Sequence, residues 1–230
     1  VWGGEALLGR PGRWRRLASL RPFRLPGGER AAREAWRCAL GVCWESGREW
    51  PSAPGDTALL HNAWQRRINS PQTTAAGRLF DAAAALTGVL QSGSFEGQGP
   101  MYLEALAEAG CPPMELPLRR EGSGLLIADW APLLPLLMDE SVPVARRSGV
   151  FHASLAGLIA DMAGELARQH RFARVGLAGG VFQNRLLAAD ALRRLRKAGF
   201  DAVLPEAVPV NDAGISYGQV VEFAGGQGAA

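Results

Sequence analysis

Val175-Gly176-Leu177-Ala178-Gly179-Gly180-Val181-Phe182-Gln183-Asn184 is the stretch on which the fold turns. Residues 175–178 have the length and apolar character of a short buried strand, and Gly179-Gly180 supplies a tight turn. From 184 to 198 the spacing becomes helical, and Gly199 stands where a helix closes. Residues 202–204 then read as a second short strand. Strand, helix and strand in this order predict a parallel pair with a right-handed crossover, and hence an α/β lobe. At the turn, free N–H groups and the helix dipole favour an anion, and two glycines let a ligand approach the main chain. The plainer alternative is a turn that needs glycine for geometry alone.

Moving outward, Asn211-Asp212-Ala213-Gly214-Ile215 also follows a strand and opens a helix, predicted over 213–223. Asp212 is therefore either an N-cap or a carboxylate aimed into a cleft. Loops at the ends of two parallel strands converge on one edge of the sheet. That makes Asp212 a predicted neighbour of the Gly179-Gly180 turn, an arrangement suited to a phosphate bridged by a metal. The Gly/Ala tail at 225–230 is expected to fray. On the other side, Val150, Leu155, Leu158, Ile159, Met162 and Leu166 mark one buried face of a long helix over 144–170. His152 on that helix reads as structural, because no second His or carboxylate stands three or four residues away; His61 and His170 read the same way.

Earlier still, 116–118 and 125–127 flank a turn-forming Glu121-Gly122-Ser123-Gly124 and predict a β-hairpin. Helices are predicted over 29–44, from a cap at Asp56 or Thr57 to 68, over 77–86 and over 100–109, with an extended segment at 17–25. Trp36, Trp44 and Trp64 fall at helix-packing positions. In Gly77-Arg78-Leu79-Phe80-Asp81, Asp81 near a helix start suits ribose hydroxyls, or is a surface acid favoured by the dipole.

The 230 residues are 47% hydrophobic with a formal charge of +3, which excludes an intrinsically disordered chain. The arginines are scattered, with local groups at 13–16 and 193–197, which argues against nucleic-acid binding. The apolar runs at 133–138 and 155–159 fall short of the roughly 20 residues that span a bilayer, so no membrane segment is expected. Three cysteines without a C-x-x-C pair point to a reducing, cytoplasmic setting and away from structural zinc. The opening Val1-Trp2-Gly3-Gly4-Glu5 reads as a cut inside a longer protein.

Six landmarks in order resemble the hydrogenase-maturation carbamoyltransferases of the HypF type: Trp2-Gly3-Gly4-Glu5, Arg21-Pro22-Phe23-Arg24-Leu25-Pro26-Gly27-Gly28, Gly77-Arg78-Leu79-Phe80-Asp81-Ala82, Phe95-Glu96-Gly97-Gln98, Gly179-Gly180-Val181-Phe182-Gln183-Asn184 and Asn211-Asp212-Ala213-Gly214-Ile215. The last two also resemble the tRNA threonylcarbamoyl (TsaD-type) enzymes; the first four favour the hydrogenase-maturation branch. The resemblance implies an actin-like, Hsp70-like α/β nucleotide-binding lobe with a helical insertion, truncated at its N-terminus. Its parts would be a helix-rich 1–142 with the hairpin inserted, an α/β lobe at 143–224 and a flexible tail at 225–230.

The activity implied is transfer of a carbamoyl group, carried as carbamoyl-adenylate made from carbamoyl phosphate and ATP, to the C-terminal cysteine of a HypE-type partner. By the same resemblance Gly77, Asp81, Gly179, Gly180 and Asn184 would contact ATP or carbamoyl-adenylate. Asp212 would touch a divalent metal whose other ligands lie upstream; no catalytic residue is singled out. Ala213 stands where the family pattern has glycine, and 73–76 departs from a Ser-rich stretch. The upstream domains of the family are missing, so this chain alone is expected to be inactive. A TsaD-like tRNA transferase and a non-catalytic nucleotide-binding lobe are the alternatives.

Overall fold

The structure, a computed structural model, describes residues 2–55 and 57–227. β1 (Glu5–Arg10) and β2 (Arg13–Leu20) form an antiparallel hairpin turning at Pro11-Gly12, with a bulge between Ala6 and Leu7. The sequence predicts an extended segment only at 17–25 and no strand at 5–10. The arginines of β2 point to solvent, while Leu17, Ala18, Ser19 and Leu20 are buried and carry the hairpin into the core. β3 (Phe23–Arg24) pairs with β4 (Gln72–Thr73) in a separate two-stranded ladder.

The helix predicted over 29–44 is split. A 3-10 turn at Gly28–Ala32 precedes α1 (Ala35–Glu45), because Gly27 and Gly28 hold left-handed backbone and steer the entry. α2 (Ala58–Gln65) ends short of 68; Thr57 sits at its N-cap without a side-chain cap, and Asp56, the other candidate, lies outside the described residues. α3 (Ala76–Leu86) matches its expected span, whereas α4 (Gln98–Leu106) starts and stops earlier than 100–109. Ala82, Ala83, Ala84 and Ala85 of α3 are buried, as are Cys38, Ala39 and Val42 of α1, and such small side chains let the two helices pack closely.

β5 (Leu118–Arg120) and β6 (Leu126–Ala128) are the expected hairpin, shifted slightly in register. β6 also pairs in parallel with β2, so the hairpin belongs to a four-stranded sheet of order β1-β2-β6-β5. A 3-10 turn (Ala131–Leu133) leads into α5 (Leu134–Met138) and then α6 (Val144–Ala167). α6 is long and apolar enough by composition to cross a bilayer, unlike the shorter runs read from the sequence. In this fold it is a core helix, packed against α4, α5 and α7. A β-carbon on its Gly149 would meet the Glu108 carbonyl oxygen at 2.3 Å and the Cys111 sulfur at 2.6 Å, so this approach requires glycine.

β7 (Arg174–Gly176), a 3-10 turn (Gly180–Gln183), α7 (Arg185–Lys197) and β8 (Asp201–Val203) complete the predicted crossover. β7 and β8 are parallel, with Val175 opposite Ala202. A last 3-10 turn (Asp212–Gly214) opens α8 (Ile215–Gln227), which runs past the predicted end at 223 into the segment expected to fray; 228–230 lie outside the described residues. One buried cluster runs from Leu17 and Phe23 through Phe80 and Phe151 to Leu187 and Ala202, on both sides of residue 142.

Candidate functional site

The two strand-end loops do converge. The Gly179 N–H donates to the Val210 carbonyl at 2.8 Å, and the Gly180 backbone faces the Asn211 side chain. Gly179 has φ of +111°, a conformation that only glycine adopts without strain. Gly180 is different: its φ is ordinary, it is exposed, and a β-carbon there would come no closer than 3.8 Å to any atom. The chain's own packing therefore gives no reason for glycine at 180.

Asn184 closes the turn and starts α7. Its Oδ1 accepts from the Leu187 N–H at 2.9 Å as the N-cap, and its Nδ2 lies 2.8 Å from His152 Nε2. His152 Nδ1 in turn stands 2.8 Å from the Ser148 carbonyl, so that nitrogen carries the proton and Nε2 accepts from Asn184. Burial holds the His152 pKa below its usual value, in keeping with a neutral ring. Both ends of the Asn184 amide are committed inside the chain, and its part at this site is to orient the turn. His152 is structural, as expected from its isolation. What the sequence did not reveal is its partner 32 positions away, since no local spacing marks so remote a contact.

The sequence allows Asp212 to be either a cap or a cleft carboxylate. The cap is its neighbour: Asn211 Oδ1 accepts from the Ala213 N–H at 3.2 Å. The Asp212 carboxylate is exposed and makes no hydrogen bond or ion pair among the described residues. Hard divalent cations take about six oxygen ligands. Among the described residues no three His, Cys, Asp or Glu side chains gather, so the residues present do not make up a metal site.

α3 touches the 180–183 turn, and its Ala76 and Phe80 line a groove together with Val181 and Phe182; the neighbours of Asp81 are instead Arg78, Cys38 and Gly99. Gly77 sits half-buried in the first turn of α3, whose N-terminus has no side-chain cap. Asp81 is buried rather than a surface acid. Its Oδ2 stands 3.0 Å from Arg78 Nη1, yet neither atom has a well-aligned hydrogen bond, so the contact is electrostatic only. Arg78 also reaches Glu96 at 3.4 Å. A ribose would meet Asp81 only after this pair rearranges.

Burial pushes the Asp81 carboxyl up to about 6, against the pull of Arg78 and with a smaller push from Glu96. A folded-state value above the ordinary 3.8 means stability that is present below about pH 4 and lost as pH rises through 6. The loss is on the order of 3 kcal/mol at most. Asp81→Asn is expected to abolish that part of the pH dependence. Urea unfolding at pH 4.5 and 7.5 reads it, and an equal difference between the two pH values in wild type and variant would refute the assignment.

Comparison with known proteins finds relatives along nearly the whole chain. A family model described as "Carbamoyltransferase, Kae1-like Domain, second subdomain" matches residues 1–219. The carbamoyltransferase HypF of Rhizobium leguminosarum bv. viciae is 39% identical over 225 residues, covering 95% of this chain and 29% of that protein. A HypF homolog of Cupriavidus necator is 36% identical, covering 95% of this chain and 60% of the relative. A crystal structure of full-length HypF in the phosphate- and nucleotide-bound form superimposes with a TM-score of 0.88 at 30% identity, over 96% of this chain and 30% of that one. The chain thus spans 29% to 60% of the length of these relatives, and its fold is an α/β lobe of the actin-like type.

Proposed function

Since this chain belongs to the HypF carbamoyltransferase family, we propose that it supplies the nucleotide-binding lobe of an enzyme that moves a carbamoyl group during [NiFe] hydrogenase maturation. Hydrolysis of carbamoyl phosphate releases inorganic phosphate and carbamate, and a carbamate oxygen attacks the α-phosphorus of ATP, displacing pyrophosphate and giving carbamoyl-adenylate. The C-terminal cysteine thiolate of a HypE-type partner then attacks the carbamoyl carbon, a C–S bond forms, and AMP leaves with the electron pair of the broken C–O bond. The reaction takes place in the cytoplasm, a setting supported by the three free, buried cysteines.

The observation that carries this reading is the Gly179-Gly180 turn, tied to the Val210–Asp212 loop and left without filling at Gly180. The Gly179 N–H is taken by Val210, but those of Gly180 and Val181 make no hydrogen bond among the described residues, and they lie just ahead of a helix, where a phosphate group is stabilised by hydrogen bonds and by the dipole. Asn184 and His152 hold the turn from behind. The nucleotide in the full-length HypF structure supports this choice of ligand.

Gly180→Val in the full-length protein tests it. Because a β-carbon at 180 makes only ordinary van der Waals contact, at 3.8 Å, with the Asn211 and Gln183 side chains, the melting temperature is expected to change by no more than about 2 °C. ATP affinity by calorimetry is expected to fall at least about tenfold, since the added carbons occupy the ligand's approach to the main chain. A variant that folds normally and binds ATP as tightly as wild type would sink the assignment.

A further inference from the structure

Helix α4 has its own hold on the segment that follows the Gly179-Gly180 turn. The Glu104 Oε1 on α4 accepts from the N–H of Arg185, the first residue of α7, at 2.8 Å. One residue earlier, the Leu103 carbonyl accepts from Ser148 Oγ of α6 at 2.7 Å. From Ser148 the contacts run through His152 to Asn184, the residue just ahead of Arg185. Peptide and hydrogen bonds together close a ring through α4, α6 and the start of α7. We propose that Glu104 is a positioning residue for nucleotide binding: its carboxylate fixes the start of α7 so that the Gly180 and Val181 N–H groups meet a phosphate. The proposal rests on the reading of the turn as a nucleotide site.

A positioning residue needs a fixed base, and α4 is anchored at both ends. Near its start a β-carbon on Gly99 would meet the Ala84 β-carbon of α3 at 2.9 Å, so the two helices touch there without slack. Just past its end the Glu108 carbonyl lies against Gly149 of α6, and the Glu108 N–H donates to the Ala145 carbonyl at 2.8 Å. Glu104 stands between these anchors, half-buried and next to the fully buried Leu103. In a close-packed interior a shift of α4 breaks such contacts rather than being absorbed by them. The bond itself is charge-assisted and lies at the positive end of the α7 dipole, which makes it one of the stronger kinds.

The same bond sorts the donors around the turn. Glu104 takes the Arg185 N–H and Asn184 Oδ1 takes that of Leu187, so these two donors of the first turn of α7 are filled from within the chain. Gly180 and Val181 are left with free N–H groups for a ligand. A carboxylate that only caps α7 affects stability and nothing else. A positioning carboxylate affects the binding of phosphates in a way that a nucleoside does not share, because adenosine has no phosphate to place.

Calorimetry of ATP and of adenosine with the full-length protein tests this. In Glu104→Ala, ATP affinity is expected to fall about five- to tenfold while adenosine affinity stays within about twofold. Glu104→Gln keeps an oxygen acceptor for the Arg185 N–H and is expected to stay within about threefold of wild type for ATP. The same bond can be removed from its other side without touching Glu104. Proline is tolerated at the first position of a helix, and Asn184 ahead of it already has the extended backbone that proline requires, so Arg185→Pro deletes the N–H and leaves α7 in place. Against Arg185→Ala, which keeps the N–H, the proline variant is expected to lose the same five- to tenfold, about as much as Glu104→Ala, and adding Glu104→Ala to it is expected to cost nothing further. Unchanged ATP affinity in Glu104→Ala or in Arg185→Pro overturns the proposal, as does an equal loss for ATP and adenosine, or a rise in ATP affinity when the carboxylate is removed. If Gly180→Val weakens ATP binding and these variants do not, this inference alone falls; if Gly180→Val leaves ATP binding unchanged, the nucleotide reading falls with it.

Discussion

Asn184→Ala is expected to destabilise the protein by about 2–4 kcal/mol, a large effect for one amide. Two losses add. Removing the N-cap of α7 costs about 1 kcal/mol. Leaving the buried His152 Nε2 without its donor costs about 1–3 kcal/mol more. Urea denaturation followed by circular dichroism measures the sum. A loss below about 1 kcal/mol would mean that the His152 contact contributes nothing and that only the cap is felt.

Asn184→Asp separates the two parts. An aspartate caps a helix about as well as asparagine, so the Leu187 bond survives. Its second oxygen, however, faces the lone pair of His152 Nε2 where the asparagine presented an N–H. The repulsion is relieved when His152 takes a proton, which raises its folded-state pKa in the variant above that of wild type, where burial depresses it. Stability of the variant is therefore present at low pH and lost as pH rises through that raised value. Unfolding curves at pH 5.5 and 8 should show the variant close to wild type at the lower pH and well below it at the higher.

The crossover that decides the fold was legible because it is local: strand, glycine turn, helix and strand lie within 30 residues, and each has its own periodicity. α3 and α6 were legible for the same reason, as long helices with consistent apolar faces. β1 was not, because its residues alternate poorly, Leu7 is exposed at the bulge and the groove beside it is open, so no buried pattern marks it. The division of the 29–44 helix followed from left-handed glycines whose conformation the sequence does not declare. At the site, the meeting of the Gly179 and Val210 loops was foreseen from parallel-sheet topology alone. The burial of Asp81 and the pairing of His152 with Asn184 depend on segments far apart in the chain, and no spacing rule reaches them.

Trp130→Ala is expected to cost about 3–5 kcal/mol and to lower the melting temperature by roughly 6–20 °C. Trp130 follows β6, is fully buried, and joins three parts of the fold. Its Nε1–H donates to the Arg21 carbonyl at 2.6 Å, fixing the chain between β2 and β3. Its ring meets Phe23 edge-on at 5.6 Å between centroids, and the Arg21 guanidinium lies over it at 5.3 Å. That guanidinium bonds the Glu45 carbonyl at the end of α1 and pairs with Asp129 at 3.2 Å. Alanine removes the indole volume and the donor together. Trp130→Phe keeps an aromatic ring against Phe23 but removes the donor, and is expected to cost about 1–3 kcal/mol. If the two variants lose the same stability, the hydrogen bond to Arg21 dominates and the packing of the indole adds little; if phenylalanine is as stable as wild type, the bond to Arg21 contributes nothing and the junction is held by the ring alone.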